Sequence, residues 1–255
     1  MISLHGTVLI TGASAGIGAA CARAFSAAGA RLILVARREE RLRELADELR
    51  SQHDTESLVL GLDVRDGAAV DAAIADLPDD WASIDVLVNH AGLGRGLEPL
   101  HEGSPDDWDA MIDTNVKALL RLTRAVVPGM IERGRGHVVN LGSIAGHEVY
   151  PGGAVYCATK HAVKAITRGL RMDLLGTPIR VTSVDPGLVE TEFSMVRFGG
   201  DEARAARVYE GLQPLTAEDI ADVVLFAATR PPHVNLDTIV MMPTAQASAL
   251  LVDRE

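Results

Sequence analysis

Cysteine is scarce: Cys21 and Cys157 stand far apart, outside any Cys-x-x-Cys run, and the eight histidines show no ligand spacing. A disulfide framework and a zinc site are both excluded on that basis, and the expectation is that no metal is needed. Positive charge is also short, with 24 Lys and Arg against 35 Asp and Glu and a formal net charge of −11. The basic residues are scattered rather than striped along one face, which argues against a nucleic-acid partner. No apolar run approaches the ~20 residues that span a bilayer. The opening MISLHGTVLITG lacks the basic stretch, apolar run and cleavage site of a secretion signal, so the expected location is cytoplasmic, without membrane attachment. Aromatic residues make up only 4% of the chain, little material for the wide apolar pocket of a steroid or lipid reductase.

What is present is an alternation. Short apolar runs (TVLIT, RLILVA, LVLGLDV, DVLVNHAG, HVVNLGS, RVTSVDPG, TIVMMP) are bounded by glycine, proline and charge, as buried parallel strands are. Between them, Gly18 to Ala28, Glu40 to Arg50 and Pro105 to Arg133 carry apolar residues at helical spacing. Ser104, Pro105 and the acidic residues after them read as a helix start. The expected fold is α/β, a Rossmann-type doubly wound parallel sheet, in a single domain over residues 1–255. There is no internal repeat and no linker-like stretch.

Two motifs carry chemistry. After the strand around Val8 to Ile10, the run TGASAGIG spaces Gly12, Gly16 and Gly18 as TGxxxGxG. Glycines there let the chain turn tightly and approach a pyrophosphate, which the N–H groups of the following helix can bind. About 20 residues on, LILVARRE has Arg37 and Arg38 where an NAD-binding chain would carry a carboxylate for the ribose 2′-OH. Arginine donates paired hydrogen bonds to a phosphate, so the expected cofactor is NADP, although both arginines also begin a charged helix. The second motif is VYCATKHAVKAI, with Tyr156 and Lys160 four apart on one helical face. An ordinary tyrosine has a pKa of about 10, and the expectation is that Lys160 draws it toward neutrality for acid/base work.

These motifs, in this order and with Ser143 in NLGSIAG between them, resemble the short-chain dehydrogenase/reductase family along nearly the whole chain. The resemblance implies a cofactor half over about 1–140 and a catalytic and substrate-lid half over about 141–255. It implies that Tyr156 exchanges a proton with the substrate oxygen while the nicotinamide exchanges hydride. Ser143 would hydrogen-bond the same oxygen, Lys160 would hold the ribose, and Asn115 in DTNVKALL would keep a water in the proton path. Ser14 and Ile17 belong to the implied cofactor set. So do Asp63 and Val64 at the adenine, Asn89, Ala91 and Gly92 in a turn where His90 replaces an asparagine, and Pro186, Gly187, Val189 and Thr191 around the carboxamide.

DTNVKALLRLTRAVVPGMIERGRGHVVNLGS, VRFGGD and PPHVNLDTIVMMPTAQ resemble one subgroup, the NADP-dependent 3-hydroxy acid dehydrogenases. That implies serine, allo-threonine or 3-hydroxypropionate as substrate type. Similar sequences reduce sulfoacetaldehyde, so a small anion is the shared expectation. A noncatalytic NADP-binding regulator is a distant third reading, which the retained Tyr156 and Lys160 disfavour. Within the lid Leu188 to Leu212, Arg197 could close over a carboxylate or sulfonate, or stand in solvent. Gln246 could donate to the same anion, and His147 and Tyr150 are expected to shape the pocket wall. The resemblance also implies a homotetramer, paired through the segment Pro105 to Arg133 and the helix that bears Tyr156.

Overall fold

The computed structural model describes residues 6–254. The apolar runs form β1 (Thr7–Thr11), β2 (Arg31–Ala36), β3 (Ser57–Gly61), β4 (Ile84–Asn89), β5 (Gly136–Leu141), β6 (Ile179–Pro186) and β7 (Thr238–Met241). All neighbours pair in parallel, in the order β3-β2-β1-β4-β5-β6-β7. Both faces of such a sheet are covered, so each strand is apolar on both sides. In β1, Val8 and Ile10 enter one core layer and Leu9 the other; in β2, Leu32 and Leu34 oppose Ile33 and Val35 in the same way.

The first layer is roofed by α1 (Gly16–Ala27), α2 (Glu39–His53) and α9 (Ala217–Ala228). The second is roofed by α3 (Gly67–Ala75) and α5 (Ala118–Arg133), with α6 (Ala154–Asp173) beside them. Two short helices, α7 (Phe193–Arg197) and α8 (Glu202–Arg207), lie between β6 and α9. The two expected halves share one sheet: β5 ends where the first half was to end, β6 pairs directly with it, and α1 packs against α9. No described helix is long and apolar enough to cross a membrane.

The stretch Pro105 to Arg133 is not one regular helix. It begins as α4 (Pro105–Ile112), widens to a π-turn over Asp113–Lys117 and resumes as α5. Such bulges insert one residue into the ladder and turn a side chain toward a site. Here the bulge contains Asn115. Ser104 does occupy the cap position, but its hydroxyl makes no cap hydrogen bond.

His137 of β5 is 2% exposed, and its Nε2 donates to Thr182 Oγ1 at 2.8 Å, since that hydroxyl itself donates to the Leu236 carbonyl. Burial first, and the Arg180 charge second, press its pKa from 6.5 down to about 3. The unfolded chain therefore takes up this proton as pH falls below about 6.5, whereas the folded chain resists until about 3. Stability carried by neutral His137 is whole above that window and is lost through it. At pH 5 this amounts to about 2 kcal/mol relative to pH 7.5. Urea unfolding at both pH values is expected to show His137→Gln, whose amide can still donate to Thr182, losing correspondingly less stability on acidification.

Candidate active site

In an open parallel sheet, ligands bind at the carboxyl ends of the strands where the order reverses, here between β1 and β4. Two adjoining cavities open there. The first, of about 260 Å³, is bordered by Gly12, Ser14, Gly16 and Ile17 after β1 and by Arg37 and Arg38 after β2. Its other walls include Asp63, Val64, Ala91, Gly92 and Thr191. Gly12 and Gly16 have φ of +70° and +50°, a region that favours glycine, so the turn into α1 requires them. The α1 N-cap, Ala15, supplies no side-chain cap, which leaves the first-turn N–H groups to a ligand. A cleft with a helix N-terminus at one end and two guanidinium groups at the other fits a dinucleotide that carries an extra phosphate.

Two members of the expected cofactor set line neither this cavity nor the one adjoining it. Gly18 is buried, and a Cβ placed on it would come within 2.4 Å of the Gly12 carbonyl oxygen; it is a spacer that lets α1 approach β1. Asn89 turns into the protein, where its amide donates to Thr123 Oγ1 at 3.2 Å and Asn140 Oδ1 at 2.9 Å. Asn140 in turn donates to Thr167 on α6, so Asn89 ties β4 to β5 and α5 rather than touching a ligand. Asp63 borders the cavity, but its carboxylate is gripped by Arg65 at 2.6 Å, which lowers its pKa.

Within the lid, facing Arg38, lies Glu192, which the sequence reading missed. Its carboxylate accepts from Arg38 at 2.8 Å and from Arg41 at 2.7 Å, while Arg38 also donates to Ser14 Oγ. Arg37 forms no ion pair among the described residues. No local sequence signal links Glu192 to Arg38, because the contact joins the lid to the start of α2.

The second cavity, of about 310 Å³, gathers Ser143, Tyr150, Tyr156, Lys160, Arg197 and Gln246, with Pro186, Gly187, Val189 and Thr191 along its floor. Lys160 is buried, donates to the Leu141 carbonyl at 2.8 Å and stands 5.9 Å from the centre of the Tyr156 ring. Burial lowers its pKa to about 8, against the pull of the Asp185 charge. Removal from water raises the Tyr156 pKa above its usual value; the Arg197 charge and a hydrogen bond with Ser143 act the other way. A second cation stands nearer the ring than Lys160 does. Arg197 holds that place, its guanidinium 4.7 Å from the ring centre.

Arg197 is delivered by α7 and stands half-buried. It lies over the rings of Phe193 and Tyr156 and donates to the Tyr150 hydroxyl at 3.0 Å, while its Nε is buried without a hydrogen-bond partner. Gln246 is likewise buried: its carbonyl accepts from Leu188 N at 2.8 Å and its amide donates to the Ser248 carbonyl at 3.1 Å, so it clamps the Pro186–Gly187 turn to the C-terminal segment. His147 does not line the cavity. Its ring turns behind the wall to Asp185 because a buried carboxylate there needs a donor.

Asn115 also lies behind the wall. Its Oδ1 accepts from Leu93 N at 2.8 Å and its Nδ2 donates to Leu93 O and Thr159 Oγ1. With every polar atom of the side chain engaged, its amide ties the loop after β4 to α6. His90, read from sequence only as a departure in the turn, borders both cavities. Its Nδ1 lies 3.2 Å from the Thr11 carbonyl, and burial and then the Lys160 charge lower its pKa to about 4.

Residues 6–200 match the family profile described as short chain dehydrogenase. The chain is 52% identical over 243 residues to the NADP-dependent 3-hydroxy acid dehydrogenase YdfG of Salmonella typhi, covering 95% of this chain and 96% of that protein. It is 50% identical over 250 residues to sulfoacetaldehyde reductase 2 of Chromohalobacter salexigens, covering 97% and 98%. A solved structure described as the closed form of serine dehydrogenase complexed with NADP+ superposes with a TM-score of 0.92 at 49% identity, over 98% of this chain and 100% of that one. Residues that matched the motifs have come together at the reversal point of the sheet, and the likeness to these relatives runs from end to end. The chain belongs to the short-chain dehydrogenase family.

Proposed function

We propose that this enzyme interconverts a small anionic 3-hydroxy acid and its carbonyl compound, with NADP as cofactor. NADP, when bound, supplies or accepts the hydride. The observation that carries the substrate class is the charge of the second cavity: Lys160 and Arg197 border it, and among the described residues no Asp or Glu does. A desolvated guanidinium donates well to a planar carboxylate and pairs poorly with a neutral alcohol. Serine, allo-threonine and 3-hydroxypropionate place a carboxylate a short, fixed distance from the reacting hydroxyl. Sulfoacetaldehyde offers a sulfonate in the same relation, and the same guanidinium favours that second reading.

Tyr156 gives a proton to the carbonyl oxygen in reduction and takes it from the hydroxyl in oxidation. Ser143 fixes that oxygen, being within reach of both Tyr156 and the floor of the cavity. Lys160 faces the junction of the two cavities beside His90 and holds ribose hydroxyls. Arg37 and Arg38 hold the 2′-phosphate. Proton transfer of this kind contributes about 10²- to 10⁴-fold to rate. Tyr156→Phe is accordingly expected to lose that much in kcat while NADP binding, followed by fluorescence, stays largely intact; substantial remaining turnover would remove the tyrosine from its role.

The assembly we propose is a homotetramer. Ile112 and Leu120 are exposed on the α4–α5 segment, and Met172 and Leu175 at the end of α6 are 67% and 89% exposed, the apolar surface that pairing of these helices would cover. A monomer mass in solution would refute it.

Two further outcomes follow from the charges. Arg37→Asp is expected to cut the preference for NADP over NAD by about tenfold or more, since a charge-assisted bond to the phosphate is replaced by repulsion. An unchanged ratio would shift the role to Arg38. Arg197→Gln is expected to raise KM for 3-hydroxypropionate or sulfoacetaldehyde by about ten- to a hundredfold. It is also expected to move the pH limb of alcohol oxidation upward, because the cation that opposes desolvation of Tyr156 is gone. The direct assay follows NADPH absorbance across serine, allo-threonine, 3-hydroxypropionate and neutral alcohols, with sulfoacetaldehyde in reverse. Turnover confined to neutral carbonyls would sink the anionic reading.

A further inference from the structure

Behind the cavity floor, Asp185 of β6 carries a carboxylate that is buried to 1% exposure and that none of the roles above uses. His147 Nε2 lies 2.6 Å from its Oδ2, and Ser183 Oγ donates to its Oδ1. On the far side of the ring, Lys164 Nζ lies 2.9 Å from His147 Nδ1. An ammonium can only donate, so Nδ1 accepts and Nε2 bears the hydrogen that goes to Asp185. The row Lys164–His147–Asp185 is thus a cation and an anion joined through a neutral imidazole.

Its position relative to the reacting groups is set by Gly142. Lys160 donates to the Leu141 carbonyl; the next residue, Gly142, donates its N–H to Val184 O and rests directly on Asp185, so that a Cβ there would collide with Oδ1. Only this one residue separates the carboxylate from the acceptor of the buried ammonium. Asp185 also directly precedes Pro186, whose carbonyl accepts from Ser143 Oγ at 3.5 Å.

We propose that Asp185 is a positioning residue of the hydride-transfer site: its carboxylate, held by His147 and Ser183, is the counter-charge of the Lys160 ammonium and anchors the wall that carries Ser143. The groups facing Lys160 leave no other carboxylate for this part. His90 on the β4 turn is neutral, Tyr156 on α6 is a neutral phenol, Arg197 of α7 is a cation, and His147 and Lys164 lie beyond Asp185. The inference rests on Lys160 working beside Tyr156, as set out above.

The sequence holds three lysines, Lys117, Lys160 and Lys164, so protein labelled with ¹³Cε-lysine reports each ammonium separately by NMR, without substrate. In Asp185→Asn the Lys160 midpoint is expected to fall by about one unit, the size of effect that loss of a nearby opposite charge produces. Lys117, paired with Asp113, stays in place as the internal reference. The alkaline limb of NADPH-dependent reduction moves down with it. Asp185→Ser carries the same expectation should the first variant not fold. An unchanged Lys160 midpoint in a folded variant, or an equal movement of Lys117, overturns the proposal, because a merely structural carboxylate would lower stability without moving Lys160 alone. His147→Ala is expected to lower kcat several-fold at unchanged KM for NADPH, with His147→Gln, which keeps a donor at the Nε2 position, restoring most of it. Equal loss in both variants overturns the part given to His147. Because the titration reads Lys160 directly, its result is separate from the choice of substrate.

Discussion

The site is organised around a charge that the fold has to keep out of water. The Lys160 ammonium lies buried at the carboxyl edge of the sheet, with the Leu141 carbonyl as its one protein hydrogen-bond acceptor. A buried cation without compensation costs several kcal/mol. Much around it follows from containing that cost. β5 must end where its last carbonyl can turn toward α6, Gly142 must have no side chain so that Asp185 can approach from β6, and His90 must stay neutral although it sits at the meeting point of both cavities. The parallel sheet makes this possible, because β1, β4, β5 and β6 all end at the same edge and each contributes a turn to it.

A single short segment then closes both cavities. Thr191, Glu192 and Phe193 border the first, and Thr191, Phe193 and Arg197 border the second. Glu192 is bound to two arginines of the cofactor side, while Arg197, one helical turn on from Phe193, lies against Tyr156. Exposed ion pairs such as those of Glu192 contribute little to stability. Their importance is positional: the segment that brings the Arg197 guanidinium over the phenol is the same one that reaches across to Arg38 and Arg41.

The strands, their parallel order and the first two motifs were legible because they are local. Buried strands announce themselves as short apolar runs, a glycine turn before a helix has its own spacing, and Tyr156 and Lys160 need only helical periodicity to share a cavity. What escaped the sequence was set by partners distant in the chain. His147 turns away from the cavity because Asp185 needs a donor, and Asn89 turns inward because Thr123 and Asn140 do. The π-turn at Asp113–Lys117 is invisible to a pattern search, since one extra residue in a long helix shifts the apolar stripe without breaking it. The cation nearest Tyr156 comes from the lid, where no periodicity links Arg197 to the helix it faces.

The proposed selectivity for small anions would come as much from what the second cavity omits as from what it holds. A carboxylate anywhere on its wall would have paired with Arg197 and left a neutral site. Instead the nearest acidic groups are engaged outside the cavity: Asp185 beneath Gly142 and against His147, Glu192 out toward Arg38 and Arg41. Arg197 is then answered only by aromatic faces and the Tyr150 hydroxyl, contacts that place a guanidinium without discharging it. On the proposed reading, a substrate that brings its own negative charge would complete the cavity, and one that does not would leave the guanidinium without a counter-charge. The same charge opposes the rise that burial gives the Tyr156 pKa, so a group proposed to select the anion would also tune the group proposed to move the proton.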